Sequence, residues 1–102
     1  MQKQLMKQMQ KMVQDNLAKI QEDLGKEAVQ GTAGGGMVTV EMNGRQEALS
    51  VRIDPSVVNA QEVDMLEDLV LVAFKDALEK SQALSSQKMG QLTGGLSIPG
   101  LF

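Results

Sequence analysis

The sequence predicts an α+β fold of order α-β-β-β-α. A three-stranded antiparallel meander packs on a long C-terminal helix, the N-terminal helix projects, and the unit is a homodimer. Three observations predict it. The first quarter of the chain carries a helical apolar stripe free of Gly and Pro. A β-branched alternating run then meets Asn43-Gly44. Beyond Asp54-Pro55 lies a long window with an apolar centre.

In the first segment, Gln4 to Leu24, the apolar residues are Leu5, Met9, Met12, Val13, Leu17, Ile20 and Leu24. Steps of three or four, with Met12 and Val13 adjacent, make one stripe along a Gln/Lys-rich rod, the helical period. The helix is assigned to residues 1–24, and Gly25 stands where a C-terminal glycine would stop it.

The sheet is assigned to residues 26–54. A short extended stretch, 26–30, leads into a glycine-rich loop over 31–36, and Met37 to Met42 then alternate as a strand. Asn43-Gly44 is a strong hairpin signal, expected to place both residues at positive φ. Ala48 to Ile53 form the return strand. Val38, Val40 and Met42 then share a face with Leu49, Val51 and Ile53, while Thr39, Glu41, Ser50 and Arg52 take the wet face.

Asp54-Pro55 ends the sheet, because Pro cannot donate to the ladder. Asn59 and Glu62 have capping-box spacing, and Glu62, Asp64, Glu67 and Asp68 suit the positive end of a helix. That helix is assigned to 60–89. Its centre, Leu69 to Phe74, is apolar all round and needs cover on more than one side. Residues 90–102 have no period and read as a flexible tail. With no internal repeat, 1–102 is a single domain.

A chain of 102 residues, 42% apolar, can build one core. Only Phe74 and Phe102 are aromatic, and eight Met fill volume without fixing shape. So small a core predicts self-association. With no Cys, disulfides and thiolate metal sites are excluded. Gln and Lys interrupt the apolar residues of the N-terminus, so no signal-peptide core or membrane span is read, and the chain is expected in the cytoplasm.

The chain has no His, Cys or Tyr, and its serines have no evident base, so catalysis is not expected. No cofactor, metal or small-molecule substrate is expected either. The acids near residue 65 read as helix-end decoration rather than a metal site. Gly34 to Gly36 open a strand rather than a helix, which excludes a phosphate loop.

The remaining signal is basic. Net charge is −3, yet Lys3, Lys7 and Lys11 recur at i, i+4 and i+8, and residues 1–14 hold no acid. Either this is a solvated face or it is an anion-binding one. Doubled in a dimer, the stripe offers six ammonium groups, enough for a log–log salt slope of roughly −5 on duplex. Lys75, Lys80 and Lys88 extend it, diluted by Asp76 and Glu79. Base readout is not expected from two Arg and no stacking aromatic. The alternative is a protein-interaction module that docks through the Met-rich first helix.

Several segments, in order and spacing, carry a family resemblance. They are Lys7-Gln8-Met9-Gln10-Lys11-Met12, Gly31-x-x-Gly34-Gly35-Gly36, Val38 to Gly44, Val51 to Ser56, Met65 to Val70, Ala73 to Ala77, and a Gly/Pro tail ending in Phe102. The chain resembles the YbaB/EbfC nucleoid-associated proteins over nearly its whole length. Its first helix begins almost at Met1, without the Gly-rich lead-in some relatives carry. The resemblance implies a tweezer-shaped homodimer that binds double-stranded DNA with little sequence preference. It also implies association with the nucleoid and effects on its organisation and on gene expression. It places DNA contact at the helical termini, here Lys3, Lys7, Lys11 and Lys88.

Overall fold

The computed structural model describes the backbone of residues 2–96 and the side chains of residues 4–91. Helix α1 (Gln2–Lys26) leads into strands β1 (Ala28–Ala33), β2 (Val38–Asn43) and β3 (Ala48–Ile53). A 3₁₀ turn (Pro55–Val57) and helix α2 (Val63–Leu96) follow. The strands form one antiparallel sheet in the order β1-β2-β3. The expected α-β-β-β-α order and meander are present.

Of the expected dry face only the β2 half is buried, and the β3 residues Leu49, Val51 and Ile53 are exposed. Val38, Val40 and Met42 are fully buried, and Val38 and Val40 stand opposite Ile53 and Val51. A bulge brings Ala48 rather than Leu49 opposite Met42. Against this face α2 lays Leu66, Val70, Ala73 and Ala77, spaced four, three and four. Ala73 and Ala77 are small for a reason. A Cβ on Gly31 would sit 2.2 Å from the Ala73 carbonyl oxygen and 2.1 Å from the Ala77 nitrogen, so helix backbone rests directly on strand backbone. Gly31 therefore belongs to β1 and not to the loop the sequence suggested.

Other boundaries moved too. α1 runs through Gly25 to Lys26, and Gly25 is not in the left-handed region where a terminating glycine would sit. Of the expected positive-φ turn, neither Asn43 nor Gly44 adopts one; Gln46 does, at 66°, in a longer turn to Ala48. Asn59 caps no helix. Its Oδ1 accepts from Gln61 N at 2.9 Å, a local turn that precedes α2. α2 continues past Gly90 to Leu96, into the expected tail, of which residues 97–102 lie outside the described residues.

Two surfaces stay uncovered. Every residue of β3 is exposed, Leu49 and Val51 by half, because α2 lies over β1 and β2. On α2, Leu71, Val72 and Phe74 are exposed, and an open apolar cleft of about 420 Å³ runs along Leu66, Val70, Leu71 and Phe74. The all-round apolar helix lacks cover on that flank.

Candidate nucleic-acid interface

Helix α1 stands clear of the body. Residues 4–12 are exposed throughout, and burial becomes complete only at Leu24. The molecule measures 72 × 23 × 16 Å, long in one direction only. At about 100° per residue, Lys7 and Lys11 fall within about 40° of each other. Leu5, Met9 and Met12 lie on the opposite side of the helix. Among the described residues no carboxylate pairs with Lys7 or Lys11, whereas Lys26, Lys80 and Lys88 each hold one. The arm therefore has a cationic face and an apolar face back to back.

The backbone of Lys3 continues that helix one turn earlier, and its side chain lies outside the described residues. Lys88 is elsewhere. Its Nζ lies 3.3 Å from Glu27 Oε1, at the root of the arm and about 24 Å of helix rise from Lys11. The structure groups Lys7 with Lys11 and sets Lys88 apart. Lys80 is occupied as well, by Asp76 at 3.2 Å and the Gln30 carbonyl at 2.9 Å.

What holds the arm is a set of residues that sequence reasoning missed. The Gly44 N–H donates to the Leu24 carbonyl at 2.8 Å and to that of Glu27 at 3.1 Å. Arg45 Nε donates to the Gln21 carbonyl at 2.7 Å, and Asn43 Nδ2 to that of Gly25 at 3.4 Å. The β2–β3 turn thus supplies donors to the carbonyls of Leu24 and Gly25, which the end of a helix leaves free, and adds one to the Gln21 carbonyl inside the helix. The turn is itself tied down. Asn43 is buried; its Oδ1 accepts from the Arg45 and Glu47 amides at 2.9 and 3.1 Å, and its carbonyl accepts from the hydroxyl of buried Ser81 at 2.7 Å. Ser81 following Ala73 and Ala77 at four-residue steps was the available signal, a polar residue on the buried face of a helix.

Elsewhere the acids have local duties. Hydrogen bonds from Ser56 hold the Asp54 carboxyl below its ordinary range. The Thr32 amide, helped by Lys80, does the same for Asp76. Among the described residues no group of three or more carboxylates converges as a metal site, and no helix is long and apolar enough to cross a membrane.

Comparison with known proteins adds to this geometry. The chain is 52% identical over 98 residues to a nucleoid-associated protein of Pelotomaculum thermopropionicum, covering 96% of this chain and 92% of that one. It is 50% identical over 91 residues to one of Syntrophobacter fumaroxidans, covering 89% and 83%. The fold matches the crystal structure of an uncharacterized Helicobacter pylori protein, HP0035, with a TM-score of 0.73 at 18% identity, over 90% of this chain and 94% of that one. The sequence model of the YbaB/EbfC DNA-binding family matches residues 1–96. The chain belongs to the YbaB/EbfC DNA-binding family.

Proposed function

We propose that this chain is a dimeric architectural DNA-binding protein of the nucleoid that grips duplex phosphates with its α1 arms. One observation carries the reading. Lys7 and Lys11 are exposed and without a carboxylate partner on one face of a helix clear of the body, in a molecule whose other described basic clusters are diluted by acids. Lys3 extends the stripe, and Lys88, paired with Glu27 at the root of the arm, reaches a phosphate only by leaving that carboxylate. Phosphate contact without base-reading groups gives broad sequence tolerance, which suits nucleoid organisation with indirect effects on gene expression.

The homodimer is supported by what one chain leaves bare. A second copy covers the dry face of β3 and the Leu71/Phe74 flank of α2. The other side of the sheet is closed by Asp76 and Lys80, so β3 is the side left for pairing. Two arms then act together, and their affinities multiply through effective concentration.

A second reading rests on the exposed Leu5, Met6, Met9 and Met12 of α1, which suit a protein partner. A salt titration of duplex binding separates the two. Under the first reading wild type shows a slope of roughly −5, and Lys3→Glu/Lys7→Glu/Lys11→Glu loses most affinity at low salt. Unchanged binding by that triple variant sinks the assignment. Sedimentation equilibrium giving twice the 11.0 kDa chain mass supports the dimer, and 11.0 kDa at micromolar concentration defeats it.

A further inference from the structure

We infer that Arg45 is the positioning residue of the α1 arm, and that Gly25 is glycine so that the Arg45 guanidinium can lie across the helix. A Cβ on Gly25 would meet Arg45 Cζ at 2.9 Å, Nε at 3.0 Å and Nη2 at 3.1 Å. The backbone of α1 is bare where the guanidinium crosses it, and from there Nε reaches the Gln21 carbonyl at 2.7 Å. Arg45 is therefore a bolt between the β2–β3 turn and the Gln21 carbonyl, five residues before the end of α1, beside the Gly44 and Asn43 donors. Asn43, in the same turn, is itself anchored in the body by the Ser81 hydroxyl.

The leverage follows from length. Lys7 lies fourteen residues before Gln21, about 21 Å along the helix axis. A rotation of about 10° at the joint moves Lys7 by about 4 Å, more than a hydrogen-bonded ion pair tolerates. Two arms that must reach phosphates at once need a defined direction, since a fluctuating one lowers their effective concentration. The inference rests on the DNA-binding reading above, but the joint has a readout of its own.

Because the chain lacks Cys, spin labels can be placed at Gln8→Cys on the arm and Glu79→Cys on α2, both exposed. Diluting labelled chains with unlabelled protein makes the measured distance intramolecular. Wild type is expected to give one narrow distance distribution. Arg45→Gln should broaden it and lower duplex affinity at least fivefold with the salt slope unchanged. Gly25→Ala should do the same by displacing the guanidinium, although it leaves Arg45 present and favours helix. Arg45→Lys, which keeps the charge and loses the Nε geometry, should behave like Arg45→Gln.

An unbroadened distribution in both Arg45→Gln and Gly25→Ala overturns the inference. So does a broadened one with affinity unchanged. Full affinity in Arg45→Lys, with a slope reduced by about one in Arg45→Gln, makes Arg45 a direct phosphate contact and also overturns it. If the lysine triple variant binds as wild type, the DNA reading fails, while the distance measurement still judges whether Arg45 sets the arm.

Discussion

The Asp76 carboxylate on α2 accepts the backbone N–H of Thr32 at 3.0 Å, across 44 residues of chain. One turn on, Lys80 donates to the Gln30 carbonyl at 2.9 Å and pairs with Asp76 at 3.2 Å. Gln30 and Thr32 are alternate residues of β1, so both groups belong to the strand side turned away from β2. The clip closes an edge that would otherwise template another strand. Position around the helix matters equally. At about 100° per residue, Leu71 and Phe74 lie on the flank away from Asp76, the flank that looks toward β3. The same helix shuts one side of the sheet and leaves an apolar surface beside the other.

The clip has a pH signature. Hydrogen bonding lowers the Asp76 pKa below its ordinary 3.8 in the folded chain, so its contribution is present above that value. It is lost as pH falls through the lower, folded value. Asp76→Asn, which cannot pair with Lys80, should flatten this part of the acid limb below about pH 4. Urea midpoints of wild type and variant compared at pH 7 and pH 3 check the prediction. Parallel loss of stability in both proteins contradicts it.

Gly31→Ala should be among the most damaging single changes in the protein. The new methyl meets backbone atoms of Ala73 and Ala77 within 2.2 Å, and no side chain is there to swing aside. Overpacking costs about 1–3 kcal/mol where side chains can adjust, and backbone contact places this case at about 3 kcal/mol or more. Chemical denaturation measures the loss, and a cost under about 1 kcal/mol would mean that α2 is free to lift.

The paired substitution Val51→Glu/Ile53→Glu should give folded monomers. Both side chains are exposed in the single chain, at 51% and 37%, so the fold loses little while a covered interface gains buried charge. Sedimentation should report 11.0 kDa with circular dichroism unchanged. A variant that stays dimeric moves the interface away from β3.

Gly90→Ala should stabilise the end of α2. Nothing lies within 4 Å of the added Cβ, and Gly in a helix costs about 1 kcal/mol relative to Ala. Slower hydrogen exchange of the amides that follow checks this. No change there would place the end of ordered helix before Gly90, as the sequence pattern suggests.

Much of this protein was legible in advance because it depends on local periodicity. The stripe from Leu5 to Leu24, the alternation of Val38, Val40 and Met42, and the four-residue spacing of Lys7 and Lys11 each follow from where a regular backbone points its side chains. Asn43-Gly44 was read as a turn correctly and for the wrong reason. Gly44 is required because a Cβ would lie 2.7 Å from Leu24 Cδ2 and 3.0 Å from the Leu24 carbonyl, whereas Gln46 takes the left-handed position. Lys88 illustrates the opposite limit. The family resemblance placed it among the DNA contacts at the helical termini, while Glu27, distant in the chain, holds its ammonium group.

By itself, then, the sequence determined the order of elements, the dry face of β2 and the spacing of the cationic stripe, since each is encoded in the local pattern of continuous chain. Only the tertiary structure decided why Gly25, Gly31 and Gly44 are glycines, how Arg45 holds the arm and which edge of the sheet is closed. Those are matters of approach between segments far apart in the chain, and a pattern along one backbone carries no distance to another.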